Sequence, residues 1–260
     1  MTLAIATAPS VLRVVPIMNA RTPVPAVVTT SCSGCHLRDL CLPGGLTGSE
    51  TERLDQMRFG RRKVAAGQAL YRAGDKFQFI YAVRSGTFKS SMALAGDREQ
   101  VTGFPMAGEL MGLDAIANGV HATSATAIED TEVCAIQYAH LNEVVAQSGN
   151  FQLVMAQLMS REIVREHGLM MLLGSMNAEQ RLAAFLLNIS QRLKARGYAA
   201  DEFHLRMSRA EIGSFLGMKL ETVSRTFSAF QQQGLLEVDK KHVRITDLHE
   251  FTRAFETRVH

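Results

Sequence analysis

With 260 residues, 47% of them apolar and 20% charged, the chain can bury a sizeable core and is expected to divide into two domains. A formal net charge of +3 is small, and the apolar and charged fractions are those of an ordinary soluble globular protein. No run of 18 apolar residues occurs, and no basic segment precedes a hydrophobic block, so neither a membrane span nor a signal peptide is expected and the default location is cytoplasmic.

Residues 1–30 read as a flexible N-terminal arm. Next comes CSGCHLRDLC, residues 32–41, which holds three of the four cysteines in a C-x2-C-x5-C arrangement; Cys134 stands apart. Thiols clustered in a reducing compartment point to metal or redox chemistry rather than to a structural disulfide. Four thiolates suit an iron–sulfur cluster and an all-cysteine zinc site equally, and spacing does not choose between them. Leu37, Leu40 and Leu42 are placed to limit access of water and oxygen to such a centre, while His36 reads as a solvent-exposed spacer. An enzyme is not expected. The C-x2-C pair lacks the βαβ context of a thioredoxin-type site, and the following segment shows no grouped His and carboxylate ligands.

From about Phe59 to Ile136, short apolar stretches are punctuated by eight glycines between Gly67 and Gly119. Turn signals at such intervals predict an antiparallel β-barrel or jelly roll, with the sensor domain covering residues 31–149. Within it, AGEL resembles the phosphate-binding segment of cyclic-nucleotide sensors, and Glu109 could hold a ribose hydroxyl. No lysine or arginine occurs from Glu99 through Ser160, however, so a buried cyclic phosphate would lack a cationic partner.

Residues 150–175 change rhythm. FQLVMAQLMSREIVREHGLMMLL places Met159, Ile163, Glu166, Met170 and Leu173 at alternating spacings of four and three, the seam of two helices packed side by side. The segment is expected to be a dimerisation helix; the alternative is an amphipathic helix lying on its own domain's core. Glu166 stands where an apolar residue belongs. Two copies facing across a two-fold axis would repel by roughly 1–3 kcal/mol at ~6 Å, enough to make a dimer marginal. Alternatively, Glu166 pairs locally with Arg165 or Arg161.

Residues 176–260 read as a DNA-binding domain. NAEQRLAAFLLNISQRLKARG carries a capping Asn, an early acid and late basic residues, as a helix should. SRAEIGSFLGMKLETVSRTFSAFQQQG, residues 208–234, opens on a Ser208/Glu211 capping box, turns at Gly217 and starts a second helix near Lys219, which is helix-turn-helix spacing. Glu221, Ser224 and Arg225 lie on one face of that second helix. Arg225 can donate twice to a guanine edge and Glu221 can accept from a cytosine amine; the alternative is an i,i+4 surface ion pair. GLLEVDKKHVRI then reads as a two-stranded wing, with Lys240, Lys241 and Arg244, together with Arg209 and Lys219, placed to contact phosphate.

The order of these parts gives an α+β chain: a β-barrel sensor domain, a long dimerisation helix and a C-terminal winged helix-turn-helix. It resembles the CRP/FNR superfamily of bacterial transcription regulators, and within it the FNR branch, on the strength of the cysteine cluster, AGELMGLDAI, NAEQRLAAFLLNIS and ETVSR. The resemblance implies an oxygen-labile [4Fe–4S] cluster held by Cys32, Cys35, Cys41 and Cys134, a homodimer formed while the cluster is intact, and recruitment of RNA polymerase. ETVSR matches the base-reading residues of that branch, implying a palindrome of TTGAT and ATCAA separated by four base pairs. Glu166 falls where the branch carries an acidic residue in its dimer helix. GDR at residues 96–98 is a candidate exposed turn for touching polymerase.

Overall fold

The computed structural model describes residues 31–57, 59–96 and 98–256. The arm expected over residues 1–30 lies outside them, as does Asp97 of the GDR turn. Helix α1 (Gly48–Gln56) starts on a capping box in which Thr47 and Glu50 satisfy each other's backbone donors. Ser148 and Asn150 also donate to Glu50, tying the start of α1 to a later helix.

Eight strands follow: β1 (Gly60–Val64), β2 (Ala69–Tyr71), β3 (Phe79–Ser85), β4 (Phe88–Ala93), β5 (Glu99–Gly103), β6 (Leu110–Met111), β7 (Ser124–Ala127) and β8 (Thr131–Gln137). They pair into two antiparallel sheets, ordered β1-β8-β3-β6 and β2-β7-β4-β5. The crossing order is that of the expected jelly roll. Successive residues of a strand point to opposite faces. Val133 and Ala135 of β8 therefore enter the core between the sheets, with Tyr81, Val83, Phe88 and Ala127. Cys134 and Ile136 face the other way, onto a second apolar cluster with Leu42, Leu54, Ile80, Ala82 and Phe151.

Helices α2 (Tyr138–Ala146) and α3 (Gly149–Ser175) come next. The first turns of α3 rest on the chain's own core through Phe151, Val154 and Met155, and Leu172 near its end packs against the core that includes Phe104 and Phe185. Beyond Leu158 it carries apolar side chains into solvent, with Ile163 55% and Met170 61% exposed. A helix lying along its own domain thus describes the two ends of α3 and not its middle.

The C-terminal domain contains α4 (Ala178–Lys194), β9 (Glu202–His204), α5 (Arg209–Leu216), α6 (Leu220–Gln232), β10 (Leu236–Asp239), β11 (His242–Ile245) and α7 (Leu248–Glu256). The wing has three strands rather than two, because β9 pairs with β11 and sends Phe203 into the core. Three residues are too short to show a period of two in sequence. The core of this domain runs on into the barrel, joining Leu182, Phe185 and Leu186 of α4 to Val101, Phe104 and Met106.

Candidate metal centre and nucleic-acid interface

The cysteine segment is a chain of tight turns. Cys35 N–H donates to Cys32 O at 3.2 Å, Cys41 N–H to Leu37 O at 3.0 Å and Gly44 N–H to Cys41 O at 3.0 Å. Leu37 and Leu42 anchor it, the latter only 1% exposed, while Leu40 stays on the surface side. Asp55 near the end of α1 holds the other end, accepting from the Cys32 and Ser33 backbone and from Ser31 Oγ at 2.9 Å. Burial pushes the Asp55 carboxyl up, but those hydrogen bonds outweigh it and leave its pKa below the usual value. Asp55 has no sequence signal, since it reads as one more polar residue on an amphipathic helix.

All four cysteines are free, half-buried thiols. Cys32, Cys41 and Cys134 pack against the cluster beneath the outer face of β8. Burial raises the pKa of each of these three, with Cys41 pushed up to about 12. The other thiols add to this: Cys32 responds to Cys41, Cys134 and Cys35, and Cys41 to Cys134 and Cys35. For Cys134, Arg84 and Arg61 oppose the burial effect. The tertiary fold thus brings the remote thiol of β8 to the loop. Four thiols this close would repel one another once deprotonated, so a thiolate set here would require a bound cation between them.

Among the described residues no three His, Cys, Asp or Glu side chains converge as one ion requires. Tetrahedral thiolates around zinc, with Zn–S of ~2.3 Å, stand only about 3.8 Å apart. Four thiols drawn from one loop and one strand form a donor set that an all-cysteine zinc site and an iron–sulfur cluster both use. His121, which has no motif in the sequence, belongs to the barrel. It is buried, stacks on Tyr71 at 3.8 Å and faces Asp114 at 3.5 Å.

In the C-terminal domain, α5 and α6 join through Gly217 at φ 62°, the left-handed conformation that favours glycine. Gly213 is needed for a different reason: a Cβ there would sit 2.6 Å from Met218 O. Val223, Thr226, Phe227 and Phe230 bury the inner face of α6, leaving Glu221, Ser224 and Arg225 exposed on its N-terminal half. Among the described residues neither Glu221 nor Arg225 forms an ion pair, so the surface-pair alternative has no support in the geometry.

The five candidate phosphate donors are placed unequally. Lys219 and Lys240 are exposed, Lys240 at the wing tip with φ 55°. Lys241 Nζ donates to Arg206 O at 2.8 Å, and Arg244 pairs with Glu237 at 3.1 Å. Arg209 departs from a solvated donor. Its guanidinium lies 3.2 Å over the Phe227 ring, burial lowers its pKa, and its buried Nη1 has no hydrogen-bond partner.

Other arginines tie this domain to the rest of the chain. Arg181 donates to Leu173 O and Met176 O at the end of α3 and to Leu216 O at the end of α5. Arg192 and Arg196 of α4 and the turn after it close on Glu109 of the barrel, each with a contact of 2.6 Å. Both Glu109 oxygens are engaged by these two arginines, where the AGEL resemblance raised a ribose hydroxyl as their partner. In sequence, Arg192 and its neighbours read only as cations favoured at a helix C-terminus.

The cyclic nucleotide-binding domain family model matches residues 61–148, and the Crp-like helix-turn-helix domain model matches residues 180–254. The chain is 45% identical to the transcriptional regulatory protein btr of Bordetella pertussis, across 84% of this chain and 90% of that one. It is 41% identical to the transcriptional activator protein anr of Pseudomonas aeruginosa, covering 86% and 92%. It is 40% identical to the fumarate and nitrate reduction regulatory protein of Escherichia coli, covering 82% and 86%. Among solved structures, FixK2 from Bradyrhizobium japonicum superposes with a TM-score of 0.70 at 26% identity, over 75% of this chain and 96% of that one. With a jelly-roll barrel, a long helix and a winged helix-turn-helix now placed, the chain belongs to the FNR branch of the CRP/FNR family of DNA-binding transcription regulators, and it is not an enzyme.

Proposed function

We propose that the protein is an oxygen-responsive transcription regulator that acts in the cytoplasm as a homodimer on a palindrome of TTGAT and ATCAA half-sites and recruits RNA polymerase. The observation that carries this is the gathering of three loop thiols, Cys32, Cys35 and Cys41, with Cys134 of β8. A [4Fe–4S] cluster bound by these four residues supplies cations that offset the thiolate charge and a centre that dioxygen destroys. The chain's own residues do the rest. Leu37 and Leu42 screen the loop, Asp55 holds its first turn, and Cys134 fastens it to the barrel beside the start of α3.

The apolar stripe of α3, exposed at Met159, Ile163 and Met170 and half-buried at Leu173, is the dimer seam. Glu166 lies within it and is half-neutralised by Arg165 at 3.3 Å, which Arg165 also shares with Glu162. That local pairing moves the expected repulsion across the two-fold toward the low end, ~1 kcal/mol, or about fivefold in association. Glu166→Ala should therefore raise the dimer fraction in air about fivefold by sedimentation velocity; an unchanged aerobic monomer sinks the switch role of Glu166.

At the reader end, Glu221, Ser224 and Arg225 contact base edges, while Lys219, Lys240, Lys241 and Arg244 contact phosphate. Arg209 differs from these four: its Nη1 is buried and its Nη2 donates to Lys240 O at 3.4 Å, so a phosphate contact requires the guanidinium to lift from the Phe227 ring. The deciding experiment is anaerobic purification or reconstitution, followed by metal analysis and DNA binding before and after a pulse of air. A brown protein with about four iron and four acid-labile sulfide per chain, whose affinity for the palindrome falls at least ~10-fold in air, is expected. A colourless protein with stoichiometric zinc and air-stable binding overturns the oxygen-sensing function and assigns the thiols to a structural site.

A further inference from the structure

The cysteine loop and the DNA-binding domain meet at one turn of the barrel. That turn, residues 106–109, is fixed on β3: Gly108 N–H donates to Val83 O at 2.8 Å, and Val83 N–H donates to Glu109 O at 2.9 Å. One side of it faces the cysteine loop. Gly108 has φ 87°, and a Cβ there would come within 2.9 Å of Leu40 Cβ, so the side chain of Leu40 lies on bare backbone. Leu40 immediately precedes Cys41, and both residues' N–H groups donate to Leu37 O at 3.0 Å. Any new course of the chain between Cys35 and Cys41 moves Leu40 with it.

The other side of the same turn holds α4. Glu109 Oε2 accepts from Arg192 Nη2 at 2.6 Å, and Oε1 accepts from Arg192 Nε at 3.0 Å and Arg196 Nη2 at 2.6 Å. The backbone joins in, with Phe104 O accepting from Arg192 and Ala107 O from Arg196, each at 2.6 Å. Arg196 is only 6% exposed, so it has little water to fall back on. Nearby, Ser214 of α5 completes the docking. It accepts from Val101 N–H at 2.9 Å, donates to Glu99 O at 3.3 Å, and its carbonyl accepts from Gln100.

We propose that Leu40, the Gly108–Glu109 turn and the Arg192–Arg196 pair form a latch through which the state of the cysteine loop sets how firmly the DNA-binding domain is docked on the barrel. This rests on the loop being the metal-binding sensor, and it adds an intramolecular route from sensor to reader that does not pass through the dimer helix. Geometry makes the latch sensitive. Because Gly108 has no side chain to absorb a shift, a displacement of ~1 Å at Leu40 reaches the turn directly, and that is enough to take contacts of 2.6 Å past the useful hydrogen-bond range.

Hydrogen–deuterium exchange on the full metal-free chain tests the latch, comparing wild type with Leu40→Ala, Leu40→Met and Glu109→Gln. Glu109→Gln and Leu40→Ala should each speed exchange of residues 192–197 and 211–214 at least ~5-fold, with β3 and β8 within about twofold of wild type and Leu40→Met close to wild type. Two results overturn the proposal. Either residues 192–197 stay within about twofold of wild type in Leu40→Ala, or every segment, β3 and β8 included, loosens together. Loading with iron and sulfide without oxygen should change exchange of residues 192–197 at least ~3-fold in wild type and by less than half as much in Leu40→Ala. Loaded protein that shows no such difference also overturns it. A chain that takes up no iron refutes the metal assignment instead, while the metal-free comparison still decides the latch.

Discussion

Cys134→Ser should leave the chain folded but unable to retain a metal centre. The residue lies on the outer face of β8, paired with Arg61 on β1 and Ala82 on β3, so its position is set by a hydrogen-bonded ladder that a Cβ–Oγ side chain does not disturb. What changes is the ligand. A serine hydroxyl gives up its proton far less readily than a thiol and is a poor donor to iron or zinc. Structural zinc sites with four protein ligands bind with apparent free energies of ~10–16 kcal/mol, or about 2.5–4 kcal/mol per ligand, and on that scale losing one ligand is expected to weaken retention by roughly two to three orders of magnitude. The loss is larger in effect than its share, because Cys134 is the only one of the four outside the loop. Without it, the three remaining thiols all lie in the loop and no ligand fastens that loop to the barrel. Iron and sulfide analysis of anaerobically purified variant, beside a thermal melt, checks both halves. Full iron loading in Cys134→Ser would remove that residue from the ligand set.

Arg225→Ala should cost about 1–3 kcal/mol at one G·C pair of each half-site, a five- to 150-fold loss of discrimination, and little elsewhere. The side chain projects from the N-terminal half of α6, beside Ser224 and one turn after Glu221, with no ion pair to hold it back. Two parallel hydrogen bonds to a guanine edge need a planar fork, so Arg225→Lys should recover charge without recovering preference. Lys240→Ala should differ in kind. A wing-tip lysine that meets phosphate weakens binding to all sequences alike and lowers the salt slope by ~1. Binding titrations on the palindrome and on a single-substituted half-site, each at two salt concentrations, separate the two behaviours. A uniform weakening by Arg225→Ala assigns it to phosphate.

Much of this was legible before any coordinates. The S-x-x-E box at Ser208 and Glu211, the turn at Gly217 and the apolar spacing of Ile212, Leu216, Val223 and Phe227 are local, and local patterns dictate local structure. The apolar face of α3 was visible for the same reason, since apolar residues every three or four positions mark a helix face whether or not anything covers it. The barrel could be recognised from its glycines. Its strand order could not, because β1 pairs with β8 and β2 with β7 across long stretches of chain. The β9 strand, three residues long, left no period to read.

At the functional sites, residue type and spacing determined which side chains are chemically competent: four thiols for metal, and one acid, one hydroxyl and one guanidinium for bases. Only the tertiary structure decided where each stands and what it is already bound to. It brought Cys134 to the loop through strand pairing, gave Asp55 to the first cysteine turn, and laid Arg209 across Phe227 instead of leaving it in water. It also committed Glu109 to Arg192 and Arg196, residues more than 80 positions away in the chain. The reason is physical. A charge or thiol announces its capability in one letter, whereas its partner is chosen by burial, which pools residues from all parts of the chain and leaves no mark on the local sequence.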